Sequence, residues 1–196
     1  MAGRPRSFET GKVRDEAIQL FWTRGFEATS LDDLITAMGL SKSSFYQTFE
    51  SKQSLFEQCL VHYGEHLAAV TRAALESAPD ATTFIRRALL MVADETQGPL
   101  ARRGCLLMNT AAECAQHDRD IALCVKKGIA AVTAVLQDAV SAAQREGSLD
   151  SNHDPAVLAN YLLTTISGLK TMVKAGASKK QTLAVATVAL AGLGLA

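Results

Sequence analysis

The chain has 196 residues, 48% of them hydrophobic, and its 20 basic side chains balance 20 acidic ones. That is ample material for a core, and the zero net charge argues against indiscriminate binding to nucleic acid while leaving a locally shaped site open. Four cysteines without paired spacing argue against a disulfide framework and a structural zinc site, so no metal or cofactor is expected. Four prolines, and no Val/Ile/Thr-rich alternation between turn signals, predict an all-α fold. No run of about 18 apolar residues and no apolar leader segment is apparent, which predicts a cytoplasmic protein without a membrane partner.

Residues 1–7 form a short arm in which Arg4 and Arg6 bracket Pro5. It is either a solvated tail or, beside a DNA-binding unit, a source of guanidinium groups for the minor groove. A helix is predicted from Glu9 to Arg24, with Val13, Ala17, Leu20, Phe21 and Trp22 on a broad apolar face and Gly25 ending it. The stretch Thr29–Phe49 then reads as two short helices around a tight turn. Ser30 caps the first, with Asp33 three residues on as an acidic variant of the capping box. Leu31, Leu34, Ile35 and Met38 share one face, and Gly39 is suited to a left-handed stop. Ser41 caps the second helix, where Phe45 and Phe49 face inward and Lys42, Ser43, Ser44, Tyr46, Gln47 and Thr48 are left outside.

A polar, acid-free second helix suits a DNA major groove, although a capped pair of helices is also what a plain helical hairpin shows. On the DNA reading Lys42 serves a base edge or a phosphate, and Ser43, Ser44 and Gln47 serve base edges. Tyr46 points outward if Phe45 is core. Thr29, Ser30, Ser41 and Lys52 lie at helix starts, where hydroxyl, free N–H and positive charge converge on phosphate. For Thr29 and Ser30 capping alone is the plainer role.

Ser51 opens a long helix to about Ser77, carrying Leu55, Phe56, Leu60, Tyr63, Leu67 and Val70 at helical spacing. Cys59, His62 and His66 fall on one side of it. A metal trio is less favoured there than a buried cysteine beside a half-exposed face. Pro79–Asp80 turns into a helix from Thr82 to about Glu95, and Gln97-Gly98-Pro99 breaks the chain. Cys105, near a helix start and just after Arg102 and Arg103, is either a small hydrophobe or a thiol in a field that favours thiolate. Cys114 with His117 is a weaker case, and Cys59 and Cys124 read as core. Ile121–Val140 is strongly amphipathic, and Asp154-Pro155 starts a helix that Ala175-Gly176-Ala177 stops. The last helix, Ser178–Gly192, is apolar nearly all round and needs cover. A four-helix seam between two subunits fits better than packing within one.

The motif carried by Phe21–Phe26, Thr29, Leu34-Ile35, Met38-Gly39-Leu40-Ser41, Phe45-Tyr46, Phe49, Ser51-Lys52 and Leu55-Phe56 resembles the DNA-binding core of the TetR family of bacterial transcriptional regulators. Ser43 departs from it, since many members have glycine there. The segment Arg102–Asn109, running on through Ala111-Ala112-Glu113, also resembles the effector domain of one TetR subgroup, less specifically. The resemblance implies about nine helices: an N-terminal three-helix helix-turn-helix domain over 6–66, including the start of the connecting helix, and a C-terminal effector-binding and dimerisation domain over 67–196. It implies a homodimer through the last two helices that reads a palindromic double-stranded operator and is released by an unidentified small molecule. By resemblance Tyr46 contacts the DNA backbone or a base.

Met91, Cys105, Met108 and Tyr161 are the pocket candidates. With Tyr161 the sole aromatic after Phe84, the expected pocket is aliphatic and sulfur-walled. A repressor that senses oxidants or electrophiles through Cys105 is the alternative. An enzyme is the remote one, because no catalytic triad, phosphate loop or paired-carboxylate motif stands out.

Overall fold

The computed structural model describes the backbone of residues 7–97 and 103–195, and side chains from residue 11 onward within those ranges. Arg4, Arg6, Gly98-Pro99 and Arg102 lie outside the described residues. Among the described residues nine helices and no strand are present: α1 (Ser7–Arg24), α2 (Leu31–Met38), α3 (Lys42–Phe49), α4 (Lys52–Glu76), α5 (Ala81–Asp94), α6 (Leu106–Glu113), α7 (Arg119–Arg145), α8 (Pro155–Lys174) and α9 (Lys179–Gly192).

Local chemistry sets most helix ends. Ser30 and Asp33 form the full capping box, and Gly39 takes φ +63° while its N–H closes α2 on Ile35 and Thr36. Ser41, Ser51, Asp80, Asp118, Asp154 and Ser178 each accept a backbone N–H in the first turn of the helix they cap. Cys105 holds the N-cap position of α6 without any side-chain bond to the backbone.

Two apolar clusters result. One joins α1–α4 and draws in Leu106 and Leu107 of α6, Cys114, and Ile121 and Val125 of α7. The other joins α5, α8, α9 and the middle and end of α7, with Leu67 and Leu75 of α4 packed against it. The first three helices and the second half of the chain therefore share core. α4 runs through both clusters and packs along α7.

No helix is an unbroken run of about 18 apolar residues among the described residues, and α8 is interrupted by Asn160, Thr164, Thr165, Ser167, Lys170 and Thr171. α8, with 20 residues, is long and apolar enough by composition to cross a membrane. Its Leu162, Leu169 and Val173 are instead buried in the cluster shared with α5, α7 and α9.

Candidate nucleic-acid interface

α3 has two faces with different tasks. Phe45 and Phe49 are fully buried, each anchoring the helix with about 1.5–3 kcal/mol of apolar burial. Outside, Lys42, Ser43, Tyr46, Gln47 and Thr48 are exposed, and Ser44 is half-buried. Tyr46 is 48% exposed and stands edge-on to Phe45, ring centres 5.6 Å apart. No side-chain hydrogen bond within the described residues engages Lys42, Ser43, Tyr46 or Gln47, so these groups are available to a partner. Thr48 already donates to the Ser44 carbonyl at 2.8 Å. Ser41 accepts the Ser44 N–H at 3.1 Å and shares a 2.8 Å hydroxyl–hydroxyl bond with Ser44.

The helix-start residues divide. Thr29 is fully buried and its hydroxyl donates to the Gly25 carbonyl at 2.6 Å, so it holds the turn and its side chain does not reach the surface. The Ser30 hydroxyl donates to Asp33 at 2.6 Å, and Asp33 also pairs with Arg24 at 2.9 Å. The Ser30 hydroxyl, then the Ser30 N–H, then Arg24 lower the Asp33 carboxyl to a pKa of about 2. That fixed carboxylate disfavours a phosphate at the start of α2. Lys52, half-buried, extends its ammonium over the Phe26 ring at 4.3 Å, beside the end of α3.

Glu50, between α3 and α4, escaped sequence reading because no glycine marks its conformation. Its φ is +63° with ψ −48°, and the Ser51 N–H closes on the Phe49 carbonyl at 2.6 Å, a three-residue turn that side chains adopt only under strain.

The three-helix head is tied to the second half of the chain by polar contacts that spacing could not reveal. Glu113, at the end of α6, accepts the Glu27 N–H at 2.9 Å and the Phe26 N–H at 3.3 Å. Gly25 makes room for it, since a Cβ there (φ +86°) would lie 2.8 Å from the carboxylate. The Trp22 indole donates to the Gly104 carbonyl at 3.2 Å and meets Tyr63 edge-on at 5.2 Å. Arg103 lies 5.6 Å over Trp22 and bonds Gln19.

Cys105 is half-buried at this junction, 4.0 Å from the Tyr63 hydroxyl that donates to it. Burial, then the neighbouring Cys105, hold the Tyr63 phenol well above its ordinary range. Burial also pushes the Cys59 thiol up to about 12 and the Cys114 thiol up to about 11, and raises Cys124. Cys59 and Cys114 are buried, whereas Cys124 is only half-buried. Cys59 is directed at the Arg14 carbonyl, His62 lies 3.5 Å from Asp15 and His66 is exposed; among the described residues no group of three ligands gathers.

Two cavities flank α6. One, of about 700 Å³, lies between the head and α6 and α8, lined among others by Phe21, Trp22, Phe26, Phe56, Met108, Asn109, Glu113 and Lys174. The other, of about 870 Å³, is lined by Met108, Ile129, Leu163, Met172 and Val185 among others. Of the four pocket candidates Met108 lines both. Cys105 lines neither, and Met91 and Tyr161 are 56% and 40% exposed away from both. The expectation of a pocket without aromatic walls fails for the first cavity, because α1 lends it Phe21 and Trp22, the turn after α1 lends Phe26 and α4 lends Phe56, all from outside the second half of the chain.

A family model described as "Bacterial regulatory proteins, tetR family" matches residues 13–59, and one described as "Tetracyclin repressor-like, C-terminal domain" matches residues 84–189. The chain is 30% identical over 192 residues to the HTH-type transcriptional repressor ComR of Escherichia coli K12, covering 96% of this chain and 90% of ComR. It is 28% identical to the uncharacterized HTH-type transcriptional regulator YezE of Bacillus subtilis 168, covering 82% and 83% of the two chains. Among solved structures, a cysteine mutant of the regulator CifR complexed with 26 bp double-strand operator DNA aligns with a TM-score of 0.81 and 26% identity, covering 96% of this chain and 98% of that one. The reduced form of E. coli NemR shares the fold, with a TM-score of 0.82 at 20% identity over 93% and 96% of the chains.

Proposed function

Because the chain belongs to the TetR family and is a DNA-binding transcriptional regulator, we propose that it acts as a homodimeric repressor in the cytoplasm. It leaves a palindromic operator when a small molecule binds its second domain. The head over 6–66 reads DNA, and 67–196 binds effector and dimerises. The observation that carries the reading is the division of α3, where a buried Phe45/Phe49 anchor presents Lys42, Ser43, Tyr46 and Gln47 without an acidic neighbour inside the helix. Arg4 and Arg6 add minor-groove contacts, and Lys52 swings from Phe26 to a phosphate.

Pairing of subunits is supported by α8 and α9, which expose Val157 (62%), Met172 (58%), Val185 (53%) and Val188 (71%). Two such helices from each subunit form a four-helix seam that spaces the recognition helices about one turn of DNA apart. Coupling is supported by Glu113, which ties the head's Phe26–Glu27 backbone to the second domain. Release requires that the effector bind the incompetent spacing better than the competent one.

The test is a footprint of the protein on its own promoter region. Wild type protects a palindrome, and Lys42→Ala and Tyr46→Ala each lose about tenfold or more in affinity, the lysine variant also lowering the salt slope by about 1. Normal footprints from both variants would remove α3 from the interface. A second reading, thiol sensing, is favoured by the position of Cys105 at the head junction against Tyr63. It requires that peroxide or an electrophile release wild type from DNA and leave Cys105→Ser bound.

A further inference from the structure

Resting on the reading of an effector-released repressor, we infer that the cavity between the head and helices α6 and α8 is the effector site and that it takes a small aromatic carboxylate. Its volume, about 700 Å³, lies within the range of small-molecule sites. Trp22 and Phe26, both half-buried, are the rings that reach the space, and Phe21 and Phe56, each 1% exposed, back them from beneath, with Phe56 4.6 Å from Phe21 and 4.7 Å from Phe26.

Among the described residues three charged groups face the space: Arg24, Glu113 and Lys174. Arg24 is paired with Asp33 at 2.9 Å, and Glu113 accepts two backbone N–H groups. Among the described residues Lys174 meets only the amide oxygen of Asn109, at 3.0 Å, and Asn109 is held in that orientation by its own bond to the Arg103 carbonyl at 2.7 Å. The ammonium thus has a preset position and a neutral partner. A ligand carboxylate replaces that partner with a charge-assisted bond while its ring lies against the half-buried Trp22 and Phe26. A cationic ligand would meet the Lys174 ammonium, and a polyphosphate would leave charge against the rings. Because head and second domain each supply walls, any tilt of the head reshapes the site, so ligand and operator affinities change each other by the same factor.

Trp22, the single tryptophan of the chain, lines the cavity and reports occupancy. The full-length protein is titrated with 4-phenylbutyrate and with neutral 4-phenyl-1-butanol, reading Trp22 emission and heat. The carboxylate is expected to bind about tenfold tighter than the alcohol, the difference between a charged and a neutral hydrogen bond. Lys174→Met levels the two, and Thr171→Phe, which fills the space from an exposed helical position, abolishes binding with the melting temperature retained. No Trp22 response to either probe, or responses unchanged in both variants, overturns the site. A footprint that is present but indifferent to saturating 4-phenylbutyrate overturns its role as effector site. If wild type gives no footprint at all, the repressor reading fails instead, and the Trp22 titration still decides whether the cavity binds.

Discussion

Gly64 of α4 and Gly128 of α7 face each other so closely that a Cβ on Gly64 would lie 2.8 Å from the Gly128 Cα. A Cβ on Gly128 would in turn meet the Leu107 side chain at 2.8 Å. The two longest helices therefore approach backbone to backbone at the level where the head's core passes into that of the second domain, and Leu107 of α6 seals the crossing. Gly64→Ala has backbone rather than a flexible side chain to displace. It is expected to lose about 1–3 kcal/mol from overpacking, set against about 1 kcal/mol of helix propensity gained. Urea unfolding checks this, with Gly11→Ala, which meets nothing within 4 Å, as a control expected to stabilise slightly.

Glu113 supplies the second link, and its removal leaves the Phe26 and Glu27 N–H groups without their carboxylate. Since both bonds lie at the surface, Glu113→Ala is expected to cost only about 0.5–1.5 kcal/mol. The sharper measurement is hydrogen exchange, where the amides of Phe26 and Glu27 speed up in the variant and those of α3 do not. Unchanged exchange would show that water holds the turn as well as the carboxylate does.

Glu50 sits at positive φ in a three-residue turn that glycine adopts freely, at the C-terminal end of α3 where an acidic side chain also opposes the helix dipole. Glu50→Gly is expected to stabilise the protein by about 1 kcal/mol through relief of strain. It should also tighten operator binding, because a negative charge leaves the end of the recognition helix. A lower melting temperature in this variant would show that the turn is not strained.

The capping box predicts an acid signature. Asp33 has its carboxyl lowered from 3.8 to about 2, so its contribution is fully present above pH 3.8 and is lost as the pH falls toward 2. The carboxyl carbon shift of Asp33 should titrate with a midpoint near the lower value, and the stability difference between wild type and Asp33→Ala should shrink over that window. A midpoint at the ordinary aspartate value would mean the box opens in solution.

The cysteines are expected to separate by reactivity. Cys59 and Cys114 are buried, with thiols pushed up to about 12 and about 11. At pH 8 both stay almost wholly protonated, so brief iodoacetamide treatment followed by mass spectrometry should find Cys105 alkylated ahead of either. Equal labelling of all three would mean that the head cluster opens readily.

What the sequence determined by itself was local. Ser30, Gly39, Ser41, Ser51 and Asp154 lie at helix ends because capping needs only a few neighbouring residues and leaves a fixed spacing. The burial of Phe45 and Phe49 and the outward turn of Tyr46 follow from helical periodicity in the same way. Where Glu113 goes, which rings wall the cavity, and that Lys174 rests on a neutral amide were decided only by the tertiary structure. Those contacts join residues many turns apart, and their partners depend on how α4 and α7 cross. Two glycines set that crossing. Each looks on its own like an ordinary helix weakness, and only their meeting shows the space they leave.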